Sequence, residues 1–124
     1  MAESGSEKIV IFATHGGENP EMATLPFVVG NAALAMDVPV TIILQSAGVT
    51  LMKKGCYEHV FAAGFDPLKK LVDSFLELGG RILVCIPCIE SRKITEDMLL
   101  EGAELGKAGS VVQEVLEAKA VLNY

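Results

Sequence analysis

Short apolar runs recur along the chain and suit a sheet that is buried on both faces. Residues 9–13 (IVIFA) precede a Thr-His-Gly-Gly segment, and residues 40–44 (VTIIL) follow a proline. Residues 82–86 (ILVCI) form a third run, 120–122 a fourth, and 103–105 a weaker fifth between two glycines. Such runs, which lack polar alternation, are typical of strands in parallel sheets. The pattern therefore predicts five strands.

Segments with helical character lie between these runs. Residues 27–36 (FVVGNAALAM) are apolar almost all round, and Pro26 suits a first-turn position. A helix without a polar face must be covered on both sides, so this segment predicts oligomerisation. Residues 67–78 are clearly amphipathic, with Asp66 as the expected N-cap and Gly79 as the stop. Two shorter segments carry helix N-terminal signals: residues 95–100 and 110–118.

The alternation of strands and helices predicts an α/β fold. Such chains build a parallel sheet with helices packed on both of its faces. Ligands in these folds bind beyond the carboxyl ends of the strands. Chemistry is therefore expected in the segments that follow the first three strands, at residues 14–17, 45–48 and 85–92.

Composition excludes several classes of protein. The chain has 124 residues, and its 51% hydrophobic and 21% charged residues are incompatible with intrinsic disorder. No apolar run approaches the roughly 18 residues that a membrane-spanning helix needs, so no membrane association is expected. The net charge is −6 and the ten basic residues are scattered, so DNA is not an expected partner. A transient encounter with RNA stays open.

The first residues predict a cytoplasmic location. Residues 1–7 (MAESGSE) are small, polar and acidic, and they lack the basic start and apolar stretch of a signal peptide. We expect them to form a short disordered tail before a single domain at residues 8–124. Three cysteines, an odd number, also argue against the disulfide framework of a secreted protein.

The sharpest chemical feature is the segment Cys85-Ile86-Pro87-Cys88, at the end of a predicted strand. The thiolate is the reactive form of cysteine, and a helix N-terminus or a cation such as Arg92 lowers a thiol pKa. Two thiols at this spacing can form a disulfide or exchange sulfur. The alternative is that Cys85 is a small core hydrophobe. Zinc is disfavoured, because the chain has one CxxC and no histidine at recognisable ligand spacing.

Other polar residues carry weaker signals. His15 follows the first strand and is a candidate site residue, although a loop histidine also satisfies backbone groups. Cys56 lies in a loop segment, where a lone cysteine is usually incidental, and His59 is expected to be structural. Gly16-Gly17 matches neither of the glycine-rich phosphate-binding patterns, so no cofactor is indicated.

Several segments, taken together, carry a resemblance that spans about residues 8–124. The first half contributes Thr14-His15-Gly16, 31–36 (NAALAM), 40–45 (VTIILQ) and Gly48-Val49. The second half contributes 79–88 (GGRILVCIPC), 92–95 (RKIT) and 120–124 (AVLNY). In order and spacing, these segments resemble those of the DsrE/DsrF-like (TusD-like) proteins.

The resemblance implies a flavodoxin-like three-layer sandwich, with a mostly parallel five-stranded sheet and helices on both faces. Members commonly assemble as trimers or hexamers. The best understood ones relay sulfur as a cysteine persulfide, for tRNA thiolation or sulfur oxidation. The family's relaying cysteine precedes an arginine by seven positions, which selects Cys85 and Arg92. Cys88 matches a second cysteine that part of the family carries, and Lys93 departs from the glycine that usually follows the arginine.

Three functional hypotheses follow. In the first, a cytoplasmic sulfur carrier serves sulfur donor and acceptor proteins. Its nucleophile is Cys85, Cys88 resolves or receives sulfur, Arg92 stabilises the thiolate, and His15 donates a hydrogen bond or proton. In the second, Cys-x-Pro-Cys carries out thiol–disulfide redox chemistry, although thioredoxins carry their motif early and after a tryptophan, which this chain lacks. In the third, the protein is a non-catalytic oligomeric binding subunit with inert cysteines.

Overall fold

A computed structural model describes residues 7–124, which build one five-stranded sheet. The strands are β1 (Ile9–Ala13), β2 (Val40–Leu44), β3 (Arg81–Cys85), β4 (Ala103–Gly106) and β5 (Ala120–Asn123). They lie in the order β4-β3-β2-β1-β5, and every neighbouring pair is parallel. The five predicted strands are confirmed, with ends shifted by one residue at most. The sheet, expected to be mostly parallel, is entirely parallel.

Helices connect the strands of the described chain. They are α1 (Pro20–Ala35), α2 (Leu68–Glu77), α3 (Ile86–Ser91) and α4 (Ala108–Glu117). Between β2 and α2 the chain forms 3-10 turns at Ser46–Met52 and Tyr57–His59. The helix predicted at residues 95–100 is only a 3-10 turn, Glu96–Met98. There the Thr95 hydroxyl bonds to the Asp97 side chain instead of capping an α-helix.

The two faces of the sheet are covered by different helices. Alternate strand residues point to opposite faces, so Ile11 and Ile42 join the core cluster under α1 and α2. Val10 and Ile43 face the other way, toward Val111 of α4. Because β1, β2, β3 and β4 step in one direction and the chain then returns past β1 to β5, the last crossover lies on the opposite face. The predicted helices on both faces are thus confirmed.

Helix α1 is longer than its apolar segment predicted. Asn19 caps it through its side-chain oxygen, which accepts from the Met22 N–H at 3.2 Å, and Pro20 takes the first helical position. Pro26, expected in the first turn, lies inside the helix instead. The Asn-Pro pair is a strong start signal, and it outweighs the apolar pattern that begins seven residues later.

Helix α1 is covered on both sides within its own chain. One side packs on β1 and β2 and the other on α2, where the rings of Phe27 and Phe75 meet edge to face, with centroids 5.7 Å apart. Gly30 permits this approach, because a Cβ there would lie 2.9 Å from the Phe75 ring. Helix α2 therefore covers the side of the apolar helix α1 that faces away from the sheet. Oligomerisation stays a prediction.

The ends of α2 and α4 differ in detail from the sequence expectations. Pro67 occupies the N-cap position of α2 without a side-chain bond, and Asp66, the expected cap, lies 3.6 Å from Lys70 instead. Gly79 ends α2 as predicted, with φ +92°. Helix α4 begins at Ala108, two residues before the predicted start.

Residues 1–6, which make up most of the predicted tail, lie outside the residues that the structure describes. Glu7, the last residue of that segment, is described, and its carboxylate lies 3.7 Å from the Lys119 ammonium. No helix in the described part of the chain combines the length and the apolar character that crossing a membrane requires.

Candidate functional site

The candidate site lies at the carboxyl edge of the sheet, where β1, β2 and β3 end side by side. Cys85 is the last residue of β3, and α3 starts at the next residue. The strand register aligns Leu44 of β2 with Val84 of β3 and with Ala13 of β1. The segments after these three strands are therefore neighbouring loops, as expected for ligand-binding segments in this class of fold.

Two free thiols meet at the junction of β3 and α3. The Sγ atoms of Cys85 and Cys88 are 2.8 Å apart, and neither cysteine is in a disulfide. Residues three apart are neighbours on a helical turn, so α3 brings Cys88 back over the strand end. Pro87 fits the first turn, where its missing N–H costs little, and the buried Ile89 anchors the helix to the core.

A backbone amide from the loop after β2 contacts the second thiol. The Ser46 N–H donates to Cys88 Sγ at a distance of 3.3 Å. Ser46 has φ +54°, in the left-handed region that non-glycine residues rarely occupy. Sequence analysis pointed to residues 45–48 because they follow a strand, but it did not single out Ser46. A backbone donor leaves no side-chain signature in a sequence.

The pKa of the Cys85 thiol lies above its ordinary value, contrary to the lowering that the sequence led us to expect. Burial is the largest cause, and the hydrogen bond with Cys88 adds to it. The backbone N–H of Cys88 and the positive charge of Arg92 act in the opposite direction but are outweighed. Cys85 therefore holds its proton in the resting protein.

Arg92 lies on the solvent side of α3. Its Nη1 donates to the Cys88 carbonyl at 3.1 Å and to the Ser91 hydroxyl at 3.4 Å. The guanidinium thus bonds to the helix end and not to a sulfur atom. It reaches the Cys85 thiol only through its charge, which favours the thiolate form.

His15 lies on the loop after β1, two strands away from Cys85. Two strand spacings correspond to about 10 Å. The His15 Nδ1 atom is 2.7 Å from one carboxylate oxygen of Glu18, and the other oxygen accepts the Gly16 N–H, also at 2.7 Å. The bond with His15 is the largest cause that holds the pKa of Glu18 below its ordinary value. The structure thus pairs His15 with Glu18, which sequence analysis missed, and not with the thiols.

Two glycines let the loops after β1 and β2 pack closely. A Cβ on Gly16 would lie 2.5 Å from the Thr50 hydroxyl oxygen and 2.7 Å from the Ala47 carbonyl oxygen. A Cβ on Gly48 would lie 2.1 Å from the Ala13 carbonyl oxygen. Contacts this short leave no room for a side chain. These glycines therefore join one loop to the other, which fixes the position of Ser46 relative to the strand ends.

The chain matches a known family over nearly its whole length. The family model described as DsrE/DsrF-like matches residues 7–124. This chain belongs to the DsrE/DsrF-like family. The resemblance drawn from the sequence segments is thereby confirmed.

Relatives of this DsrE/DsrF-like chain include two uncharacterized proteins of Methanocaldococcus jannaschii. The protein MJ0760 is 35% identical over 102 residues, which make up 82% of this chain and 37% of the relative. The protein MJ0989 is 27% identical over 117 residues, which make up 94% of this chain and 99% of the relative. The chain thus spans little more than a third of the first relative and nearly all of the second.

Solved structures share the fold. The ychN protein from E. coli has 21% identity and a TM-score of 0.81, with 95% of this chain and 99% of that chain covered. The protein of unknown function MTH1491 from Methanobacterium thermoautotrophicum has 17% identity and a TM-score of 0.69, with 94% and 98% covered. At these identities the likeness establishes the α/β fold alone, and it confirms the predicted fold class.

Lys93 stands where the resemblance drawn from the sequence led us to expect glycine. Lys93 has φ +58° and directly follows the last capping residue of α3. Its N–H donates to the Glu90 carbonyl, and the Ile94 N–H donates to the Ile89 carbonyl, which are the two bonds of a Schellman motif. Ile89 and Ile94 are both buried. Lysine therefore adopts the conformation that favours glycine, and the turn forms despite the departure.

The remaining candidates lie outside the thiol pair. Cys56 is half-buried at the start of the turn Tyr57–His59. His59, expected to be structural, is exposed. Within residues 7–124, no three His, Cys, Asp or Glu side chains come together in a way that could hold a metal ion.

Proposed function

We propose that this DsrE/DsrF-like protein is a cytoplasmic sulfur carrier that holds sulfane sulfur as a persulfide on Cys85. The observation that supports the proposal is a pair of free thiols, with Sγ atoms 2.8 Å apart, at the carboxyl edge of the sheet in a chain of this family. A sulfur carrier needs one thiol that accepts sulfur and a route by which the sulfur leaves. Cys85 and Cys88 together offer both.

Loading is a displacement at the outer sulfur of a donor persulfide, R–S–SH. Cys85 Sγ attacks that sulfur while its proton passes to the neighbouring Cys88 thiolate. The S–S bond of the donor breaks and R–S⁻ leaves. In sum, Cys85–SH, Cys88–S⁻ and R–S–SH give Cys85–S–SH, Cys88–SH and R–S⁻, so atoms and charge balance. A Cys85 thiol with a raised pKa needs such a base close to it.

The other candidate residues support this chemistry. Arg92 adds positive charge that favours the thiolate of Cys85 during the attack. We assign to His15, which Glu18 holds in place, a hydrogen bond or proton for the donor or acceptor group across the loops. Cys88 serves first as the base and then as the thiol that resolves or receives the sulfur.

Intact-protein mass after incubation with a persulfide donor tests the proposal. At the earliest times after mixing, the wild-type protein should carry about one extra sulfur atom, and a reductant should remove it. Cys85→Ser should gain none. Cys56→Ser is the matched control, since Cys56 lies outside the pair, and it should load like the wild type. Full loading of Cys85→Ser would overturn the assignment.

Thiol–disulfide exchange is a second candidate function, favoured by the same short distance. A disulfide has an S–S length of about 2.05 Å, so the Sγ atoms at 2.8 Å need only a small approach to be oxidised. Titration of the Cys85/Cys88 pair against glutathione buffers measures its reduction potential. Turnover of a disulfide substrate at that potential, without sulfur uptake from a persulfide donor, would favour this function over sulfur relay.

The proposed partners are sulfur donor and acceptor proteins, together with further copies of this chain in a trimer or hexamer. Val112 and Leu116, which α4 leaves 55% and 80% exposed one turn apart, support self-association. Sedimentation velocity at micromolar concentration tests the assembly, and a monomer there would contradict it. If neither a persulfide donor nor an oxidant changes the mass of the protein, its cysteines are inert, and a non-catalytic binding subunit would be favoured.

A further inference from the structure

The contact between Ser46 and Cys88 makes the two thiols chemically unequal. The backbone N–H of Ser46 donates to Cys88 Sγ at 3.3 Å. A donor aimed at a sulfur atom favours the charged form of that sulfur. Cys85 is half-buried, and its partial desolvation raises the pKa of its thiol. The Ser46 amide is therefore placed to stabilise negative charge on the Cys88 sulfur when it acts as a nucleophile.

The Ser46 amide is held in place by the strand ends around it. The Gln45 N–H donates to the Ala13 carbonyl at 3.1 Å, and the Gly48 N–H donates to the Gln45 carbonyl at 2.9 Å. Gly48 approaches the Ala13 carbonyl so closely that no Cβ fits. A serine at φ +54° persists only where its surroundings over-determine it, and such residues cluster at functional sites.

We infer that Cys88, polarised by the Ser46 amide, attacks the inner sulfur of a persulfide on Cys85, so that the protein discharges its sulfur as hydrosulfide. This inference rests on the proposed function, because it begins from a loaded Cys85. It chooses between the two roles that the sequence left open for Cys88. Cys88 resolves the persulfide and does not receive the sulfur.

The discharge step balances without another reagent. After loading, Cys88 returns its proton to solvent and its thiolate forms a bond to Cys85 Sγ. The bond between Cys85 Sγ and the outer sulfur breaks, and the outer sulfur leaves as HS⁻. Cys88–S⁻ and Cys85–S–SH thus give a Cys85–Cys88 disulfide and HS⁻, with two electrons from the cysteines reducing the sulfane sulfur. A dithiol reductant then returns the disulfide to two thiols.

The inner sulfur is the nearer target for Cys88. Cys85 Sγ lies 2.8 Å from Cys88 Sγ before any sulfur is loaded. Reacting atoms within about 3.5 Å need little reorganisation, and a disulfide closes at about 2.05 Å. In-line attack at Cys85 Sγ requires the outer sulfur, as the leaving group, to project away from Cys88.

The product defines the place of this protein in a reaction sequence. A reaction that forms a persulfide must supply the sulfur. Where no acceptor protein takes the persulfide first, hydrosulfide passes onward and the next reaction consumes inorganic sulfide. Each cycle also needs one equivalent of a dithiol reductant.

Sulfide release by the full chain tests the inference. Wild type and Cys56→Ser are treated briefly with glutathione persulfide and freed of the donor. Cys88→Ser lacks the base for loading, so it is treated at alkaline pH, where Cys85 ionises without that base, and is then returned to the same buffer as the others. Sulfide and intact mass are then followed without added thiol. Wild type and Cys56→Ser should release about one equivalent of sulfide and end two hydrogens lighter than the reduced protein. Cys88→Ser should keep its extra sulfur on Cys85.

The outcomes separate this inference from the proposed function. Absence of loading in all three proteins overturns the proposed function. Loading followed by equal sulfide release from wild type and Cys88→Ser overturns the inference alone. Loading of the wild type with a stable persulfide and no disulfide also overturns the inference alone.

Ser46 is a positioning residue, and its variants test how Cys88 is polarised. The readout is the pH profile of Cys88 alkylation in a Cys85→Ser, Cys56→Ser background. Ser46→Ala removes only the hydroxyl and Ser46→Gly accepts the positive φ, so both profiles should match the parent. Ser46→Pro removes the N–H and should move the midpoint up by about one pH unit, which is a tenfold slower reaction at neutral pH.

An unchanged midpoint in a folded Ser46→Pro protein would overturn the role of the amide. Circular dichroism establishes whether that variant is folded. If it is not, Ser46→Val serves instead, because it keeps the N–H but a β-branched side chain opposes positive φ. Its midpoint should also move upward, and a match to the parent profile would contradict the inference.

Discussion

Three non-glycine residues of the described chain, Asp37, Ser46 and Lys93, have positive φ angles. Asp37 and Lys93 end helices α1 and α3, where their N–H groups satisfy carbonyls of the last turn. Ser46 ends no helix, and its N–H bonds to the sulfur of Cys88. At the residue scale, the positive φ angle therefore ends a helix at Asp37 and Lys93, whereas at Ser46 it belongs to the candidate site.

We expect Lys93→Gly to stabilise the protein by about 1 kcal/mol, because glycine adopts φ +58° without steric cost. Lys93→Ala is the control, since it removes the charge but keeps the unfavourable conformation. It should stay within about 0.5 kcal/mol of the wild type. Urea denaturation measures both free energies of unfolding. A Lys93→Gly protein that is less stable than Lys93→Ala would contradict this account of the turn.

At the scale of elements, two contacts position the parts around the sheet. The loops after β1 and β2 interlock through Gly16 and Gly48 at the carboxyl edge. Helix α4 is attached at the opposite end by Glu114, which is 7% exposed and accepts from Lys8 at 2.5 Å and Arg81 at 3.0 Å. Both contacts join segments that are far apart in the chain.

Gly48→Ala should destabilise the protein by about 2 kcal/mol, because the new Cβ would lie 2.1 Å from the backbone carbonyl of Ala13 and the loop must move. Gly109→Ala is the matched control. It lies in α4 with no atom within 4 Å of the added Cβ, and alanine favours a helix by about 1 kcal/mol over glycine. The midpoint of thermal unfolding should fall in Gly48→Ala and rise in Gly109→Ala. Equal shifts in the two variants would refute the close packing of the loops.

Glu114→Ala should lower the free energy of unfolding by about 2 kcal/mol. It leaves Lys8, whose side chain is 12% exposed, without its nearest carboxylate. Glu117 also contacts Lys8, at 3.3 Å, but its side chain is 49% exposed. Glu117→Ala should therefore cost at most about 0.5 kcal/mol. Chemical denaturation measures the free energy of unfolding of both variants. A larger decrease in Glu117→Ala than in Glu114→Ala would show that burial of the carboxylate does not decide how much it stabilises the protein.

At the scale of the whole molecule, the charge network and the thiol pair lie at opposite ends of the sheet. Lys8 precedes β1 and Arg81 starts β3, whereas Cys85 ends β3. Burial by itself would raise the pKa of Glu114. The hydrogen bonds from Lys8 and Arg81 outweigh burial and hold that pKa below its ordinary value. This separation lets the network be perturbed without touching the candidate site.

Acid should therefore destabilise the whole molecule through Glu114. A carboxyl whose pKa is lower in the folded state stabilises it fully above the unfolded value, near 4.5, and this stabilisation is lost as the pH falls through the folded value. The free energy of unfolding should decline below about pH 4.5, and less steeply in Glu114→Gln than in the wild type. Urea titrations at several pH values measure this, and parallel curves for the two proteins would contradict the role of Glu114.

The sequence by itself determined the strands, the class of fold, the family and the edge where chemistry is expected. These depend on local patterns, because a buried strand is a continuous apolar run and a helix ends where glycine or proline permits. The segment 82–86 was predicted one residue too far along, because the sheet ends at Cys85 and Ile86 already has helical backbone. The CxPC spacing alone was enough to bring Cys85 and Cys88 together, since both lie on one turn.

Only the tertiary structure decided which groups surround these thiols. The amide of Ser46 reaches Cys88 across a gap of 42 residues, and α2 of the same chain covers the second side of α1. His15 pairs with Glu18, two strands from Cys85, and burial raises the pKa of Cys85 where a cation was expected to lower it. Such outcomes depend on burial and on contacts between segments that are far apart in the chain, and neither can be read from a local pattern of side chains.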